Sequence, residues 1–281
     1  MELNDSVSKV KALRWVVLDK KRGETPLEVL STWKSAHSEY AEIPASYAGR
    51  LDPMAEGKLL VLLGEECKRQ DAYTKLDKEY EIEVLLDFKT DTGDVLGLPK
   101  YDGKNTIPRP PLLRTVLTHE EGKHSRKYPI FSSKTVNGKP LFLYALEGKL
   151  GEIQIPEHIE TMYRVKYQGS HQLNSTQLNQ RMEELLAHVP RSDEPSKLLG
   201  ADFRQDEIRA KWNEIFTSLP ERNFTILKLC VTCGSGAYMR TLAERIGASF
   251  GTTALALTIN RTKIGKYVPI GPVGYWTKLY K

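Results

Sequence analysis

Tyr47-Ala48-Gly49-Arg50-Leu51-Asp52-Pro53-Met54-Ala55-Glu56-Gly57 runs straight into the apolar stretch Leu59-Leu60-Val61-Leu62-Leu63, which ends at Gly64. The segment sets one carboxylate, Asp52, in a turn framed by Gly49, Pro53 and Gly57. A loop acid positioned by a buried strand is a held reactive group. An Asx-turn that closes a hairpin is the competing reading.

Upstream, Leu13 to Leu18 reads as a strand, and Thr25-Pro26-Leu27-Glu28 opens a helix. Thr25 caps that helix, Pro26 suits its first turn, and Glu28 completes a capping box. Leu27, Leu30 and Trp33 form its expected apolar stripe. Downstream, Tyr80, Ile82, Val84, Leu86 and Phe88 alternate with mostly polar partners, the period of a half-buried strand. Thr90 to Asp94 is a polar turn, and Pro108 to Pro111 a loop or helix start. Two apolar stripes at helical spacing follow, Leu178, Met182, Leu185 and Leu186, then Ile208, Trp212, Ile215 and Phe216. Between them lies the breaker-rich Pro190-Arg191-Ser192-Asp193-Glu194-Pro195. Residues 170–222 therefore read as a two-helix insertion. Strand returns from Phe224 to Val231, and a helix starts near Ala237 with Met239, Leu242, Ala243 and Ile246 on one face. The expected class is α+β, with a central, mostly antiparallel sheet.

At 281 residues the chain fits one large domain, or a domain with an excursion. Lys plus Arg outnumber Asp plus Glu by 41 to 36, a mild excess that permits a polyanionic partner without demanding one. Residues 268–281 form an expected basic, aromatic C-terminal tail. Phosphate contact with base stacking fits it, and so does a solvated tail with its rings tucked onto the core. Cys67, Cys230 and Cys233 make no disulfide framework, which suits a reducing compartment. Cys230 and Cys233 have no second ligand pair nearby, so packing rather than metal is their expected role. No secretory h-region, organellar address or run of transmembrane length is visible, so a cytoplasmic monomer free of membrane is expected.

Four ordered segments carry chemistry together. They are the Asp52 loop; Asp77 to Ile82 with Thr90 to Gly97; Tyr128 to Lys139; and Cys233 to Leu242 with Ile259-Asn260-Arg261-Thr262. Together they resemble the TruB family of pseudouridine synthases. The family's Gly-x-Leu-Asp-Pro-x-Ala-x-Gly matches Gly49 to Gly57, its Lys-x-Tyr matches Lys78 and Tyr80, and its Gly-x-Tyr-x-Arg matches Gly236, Tyr238 and Arg240. Tyr47 and Ala48 replace the family's usual His-Thr, Arg50 gives an Arg-Leu-Asp, and Thr135 stands where Lys is usual. About 14 residues follow Tyr267, too few for the terminal RNA-binding domain of most members, so none is expected.

The resemblance implies a pseudouridine synthase fold over 13–169 and 223–267, after an N-terminal tail of 1–12, with flanking helices and an RNA cleft. It implies isomerisation of a tRNA T-arm uridine without cofactor or metal. Asp52 is the implied nucleophile, Arg240 its ion-pair partner and Tyr80 the stacking and proton-transfer group. Ile259 lines the implied base pocket, and Tyr47, Arg50 and Tyr238 complete the substrate side. Lys20, Lys78, Lys134, Lys139 and the Arg261–Lys266 cluster are candidate phosphate contacts. The sequence leaves open the same chemistry on another RNA, and a non-catalytic RNA-binding or RNA-folding module. A glycoside hydrolase would need a second acid facing Asp52, and Glu56 lies too near in sequence to serve.

Overall fold

A computed structural model describes residues 13–189, 204–219, 221–271 and 273–281. Strand β1 (Trp15–Lys20) and helix α1 (Pro26–Ala36) lead into β2 (Ala45–Tyr47), β3 (Ala55–Leu63), α2 (Gln70–Thr74) and β4 (Asp77–Leu86). A small hairpin, β5 (Phe88–Thr90) and β6 (Pro99–Tyr101), precedes α3 (Pro110–Glu120) and β7 (Gly122–Lys127). A second, β8 (Thr135–Val136) and β9 (Lys139–Pro140), leads to α4 (Leu141–Leu146) and β10 (Glu157–Asn174). The chain ends with α5 (Ser175–Ala187), α6 (Gln205–Ser218), β11 (Asn223–Cys233), α7 (Met239–Ser249), β12 (Ala254–Ile270) and β13 (Val273–Tyr280).

Among the described residues, nine strands form one sheet in the order β1-β3-β12-β4-β11-β10-β7, with β2 beside β3 and β13 beside β12. Its pairings are antiparallel except β3 with β12, where Ala55, Glu56 and Gly57 run parallel to Ile259, Asn260 and Arg261. The α+β class with a mostly antiparallel sheet is therefore what the chain adopts.

Both faces of the sheet's centre are covered, for reasons visible in its strands. On β4, Tyr80, Ile82, Val84 and Leu86 join Leu227, Leu229 and Val231 under α3 and α7. Leu85, Ile226 and Leu255 face the other way and pack under α5 and α6. The two stripes of the insertion supply Leu178, Met182, Leu185, Leu186, Ile208 and Trp212 to that second core. Each such fully buried side chain contributes about 1.5–3 kcal/mol. Among the described residues no helix is long and apolar enough to cross a membrane.

The predicted cap of α1 is present: Thr25 Oγ1 accepts from the Glu28 amide, and Glu28 accepts from the Thr25 amide. Three expectations need correction. Leu27 is 62% exposed, because α1 docks through Val29 and Leu30 instead. β10 continues to Asn174, so residues 170–174 belong to the sheet, and Asn174 caps α5. Residues 268–281 are not a free tail: β12 runs to Ile270 and β13 pairs back along it. The expected N-terminal tail, 1–12, and the link Pro190 to Pro195 lie outside the described residues.

Candidate active site

The Asp52 loop sits over three buried cations. Arg261, 1% exposed on β12, donates from Nε to the Lys58 carbonyl (2.7 Å) and from Nη2 and Nη1 to those of Gly49 (3.1 Å) and Arg50 (3.4 Å). Lys20, 2% exposed at the end of β1, donates to the carbonyls of Ala55 (2.6 Å), Pro53 (3.2 Å) and Lys21 (3.1 Å). Lys78, 5% exposed, donates to Thr74 (2.7 Å) and Leu76 (2.5 Å), and its side chain underlies Gly49. Burial pushes the Lys20 and Lys78 pKa values down to about 8, and Arg261's charge adds to the fall at Lys78. Gly49 holds φ +87°, and Gly57 at +103° lets β3 approach β12 where a Cβ would meet the Arg261 carbonyl at 2.3 Å. The two ends of the loop are thus fixed, with Asp52 between them.

Arg240 is nearly inaccessible on the first turn of α7. Its Nε donates to Asp52 Oδ2 at 2.8 Å, its Nη1 to the Thr92 carbonyl at 2.6 Å, and its Nη2 to the Phe131 carbonyl at 2.9 Å. Asp94 Oδ2 stands 3.8 Å from the same Nε. Burial opposes the charge of Arg240, but Asp52 and Asp94 outweigh it and hold its pKa above the ordinary arginine value. Burial raises the Asp94 pKa, Arg240 opposes the rise, and the charge of Asp52 adds to it. The Asp52 side chain is 43% exposed, and among the described residues its Oδ1 accepts no hydrogen bond. A carboxylate held through one oxygen and open at the other is arranged to act as a nucleophile or electrostatic trigger.

The neighbouring wall is apolar. Tyr80 and Ile259 occupy facing strands, each opposite a buried partner, and share a cluster with Leu51 and Ala55. Burial raises the Tyr80 pKa, which keeps its hydroxyl protonated. Tyr238 packs edge-on against Tyr128 and His158, which stack at 4.1 Å. Its hydroxyl is pushed up to about 12, first by burial and then by the charge of Asp52. Arg50 is exposed beside the loop, 5.9 Å over the Tyr47 ring.

The structure therefore gathers Asp52, Arg240, Tyr80, Tyr238 and Ile259, while Lys20, Lys78 and Arg261 lie beneath the loop and not on a surface that phosphates reach. Their acceptors are backbone carbonyls, which explains why cations can be buried there without carboxylate partners. Lys134 is exposed over the Tyr128 ring, whereas Lys139 pairs with Glu147 and Lys263 with Glu79. Cys230 and Cys233 sit three apart on β11, so their thiols point to opposite faces. Sequence reasoning missed Asp94 and the carbonyls of Thr92 and Phe131 as partners of Arg240. The polar composition of the 90–97 turn was the available signal, and backbone acceptors leave none. It also missed Glu160, buried under Arg245, which accepts from the Tyr238 amide at 3.1 Å and fixes the start of α7.

The family described as "TruB family pseudouridylate synthase (N terminal domain)" matches residues 40–182. The tRNA pseudouridine synthase B of Azoarcus sp. (strain BH72) is 29% identical over 252 residues, 90% of this chain and 65% of that protein. That of Caldanaerobacter subterraneus subsp. tengcongensis is 35% identical over 130 residues, 45% of each chain. That of Psychrobacter cryohalolentis is 27% identical over 92% of this chain and 58% of its own length. The chain thus spans about three fifths of the length of the Azoarcus and Psychrobacter relatives. Among solved structures, a chain of a Cbf5-Nop10-Gar1 complex superposes with a TM-score of 0.52 at 16% identity, over 89% of this chain and 48% of that one, which is a likeness of fold. With the match covering half of its residues and the aspartate and arginine that carry the sequence resemblance in direct contact, the chain belongs to the TruB family of pseudouridylate synthases.

Proposed function

We propose that this chain isomerises a uridine of RNA to pseudouridine, and that its substrate is the T-arm of tRNA. The observation that carries the reading is the Asp52 carboxylate, gripped by Arg240 through Oδ2 and open at Oδ1 beside an apolar wall containing Tyr80 and Ile259. The relatives named tRNA pseudouridine synthase B supply the substrate class.

A stacked uridine does not reach such a pocket, so the base swings out of the RNA at a cost of a few kcal/mol. Stacking on Tyr80 and apolar contact with Ile259 offset part of that cost. Arg50 and Lys134, both exposed, are placed to meet phosphates. Asp52 then promotes cleavage of the N1–C1′ bond. The base turns, C5 bonds to C1′ and gives up its proton, and N1 takes up a proton in its place, so the product is an isomer while the C5 hydrogen exchanges into solvent. Arg240 keeps Asp52 aimed throughout, and the Tyr80 hydroxyl is available for proton transfer.

Tritium release from T-arm RNA labelled at uridine C5 tests this. Wild-type protein releases tritium, and Asp52→Asn binds the RNA without releasing it. No release from T-arm or total RNA at stoichiometric protein would sink the reading. Ala48 is fully buried and Tyr47 lies under Arg50, where the family's usual His-Thr would be, which favours the same chemistry on a different RNA as the second reading. Mapping pseudouridine in RNA from cells lacking the protein separates the two.

A further inference from the structure

Arg240 is held by two carbonyls on separate loops, Thr92 in the 90–97 turn and Phe131 in the segment before β8. The turn is tied to β12, whose Ala256 amide donates to the Gly93 carbonyl at 2.9 Å, and the Phe131 segment to the start of α4, whose Phe142 amide donates to the Ser132 carbonyl at 3.2 Å, which leaves the turn and the segment to be joined to each other. The insertion does this. Arg204, at the N-cap of α6, pairs through Nη1 with Asp91 Oδ2 at 2.8 Å, and its guanidinium lies 5.1 Å over the Phe131 ring. Asp91 is locked in turn by the Leu98 amide, which donates to its Oδ1 at 2.8 Å. Two turns further along α6, Trp212, 1% exposed, donates from Nε1 to the Val95 carbonyl at 3.2 Å. The helix therefore grips the 90–97 turn at two points and reaches across to Phe131 from one of them. Arg204 holds a left-handed backbone at φ 55°, a conformation that costs energy in a residue with a Cβ and persists where the surroundings enforce it.

We infer that Arg204 is a positioning residue: it clamps the Phe131 segment to the 90–97 turn and so sets the two carbonyls that aim Arg240 at Asp52. The two-helix insertion is then part of the catalytic apparatus as well as a cover for the sheet. The claim about rate rests on the function proposed above; the claim about the clamp does not. Arg204 touches neither Asp52 nor Arg240 directly, and its influence passes through Asp91 and Phe131. A planar guanidinium suits the site because it pairs with a carboxylate while lying over a ring, which an ammonium does less well.

The test uses the full chain and single-turnover tritium release at saturating RNA, with RNA affinity measured separately. Arg204→Met is expected to slow the chemical step about 10-fold, as a modest misplacement of a catalytic group does, with the dissociation constant within about 2-fold. Arg204→Lys recovers part of the rate. Asp91→Asn slows the step similarly, and the double variant is no slower than the worse single, because both act through one contact. A loss confined to RNA affinity, an unchanged rate, or additive losses overturns the assignment. Amide hydrogen exchange gives a second reading that needs no activity: the Leu141 and Phe142 amides, which donate to the Lys134 and Ser132 carbonyls, exchange faster in Arg204→Met while the central strands do not. Should wild-type protein form no pseudouridine, the proposed function falls and exchange alone decides the clamp, with unchanged protection of the Leu141 and Phe142 amides refuting it.

Discussion

Arg240 gives its Nε to Asp52 at 2.8 Å while Asp94 waits 3.8 Å from the same atom. One guanidinium thus serves two carboxylates of unequal exposure. Asp94 is 5% exposed, hydrogen-bonded to Thr92 and the Leu96 amide, and has the raised pKa of a buried acid. Asp52, with its side chain 43% exposed, is the half-open one. In the proposed reaction this division leaves Arg240 with a buried acid beside it while Asp52 engages the uridine.

Replacing Arg240 tests how much of that rests on charge alone. Lysine keeps the charge but not the planar fork that meets Asp52, Thr92 and Phe131 together. Arg240→Lys is expected to lower turnover on the order of 100-fold, comparable to removing a preorganised donor. Tritium-release rates at saturating RNA measure it, and near-wild-type turnover would show that a point charge suffices.

Arg261 distinguishes a loop support from an RNA contact. A phosphate contact removed by Arg261→Met would lower the slope of log affinity against log salt by about 0.7–0.9. The buried position predicts an unchanged slope. It predicts instead a stability loss of roughly 2–5 kcal/mol from carbonyls left without donors, read as a lower urea midpoint.

Two glycines with positive φ should tolerate a Cβ to different degrees. At Gly57 a Cβ would lie 2.3 Å from the Arg261 carbonyl and 2.5 Å from Asn260 Oδ1, at φ +103°. Gly57→Ala is expected to cost roughly 2–6 kcal/mol from strain and overlap. Gly138, at φ +77° with nothing within 4 Å, pays for the backbone alone, roughly 1–2 kcal/mol in Gly138→Ala. Equal losses in thermal or urea unfolding would contradict the close approach of β3 and β12.

The buried lysines predict a pH dependence with a definite sign. Lys78 titrates near 8 when folded, below its ordinary 10.5, chiefly because burial disfavours the charge. Between about pH 8 and 10.5 the unfolded chain binds the extra proton, so this group's contribution to stability rises with pH. Lys78→Met removes the term, so the variant's stability gains less than wild type's over that range, by up to about 1.4 kcal/mol per pH unit. Urea titrations at pH 7.5 and 9.5 compare them, and parallel pH profiles would refute the burial.

Local signals were legible where their partners are close in sequence. The Thr25–Glu28 box, the Tyr80–Leu86 alternation and the stripes of α5 and α6 each state their burial within a few residues. Leu27 misled because the docking face of α1 centres on Val29, Leu30 and Trp33, leaving Leu27 at its margin. The hairpin of β12 and β13 went unseen because Val268, Ile270, Val273 and Tyr275 are exposed, so no buried period marks it. In the site, Asp52, Arg240 and Tyr80 could be named from motifs. The burial of Lys20, Lys78 and Arg261 could not, since their acceptors include backbone carbonyls of distant loops and lysine or arginine is rarely buried.

The parallel seam between β3 and β12 also sets when the site comes into being. Arg261 reaches Gly49 across 212 residues of chain. On a translating ribosome Asp52 emerges early, yet the guanidinium that props its loop follows about 10–40 s later at ordinary elongation rates. Until then the aspartate lies on an unfastened segment, so a half-made polypeptide carries the proposed nucleophile without the means to use it on the RNAs crowded around the site of its own synthesis.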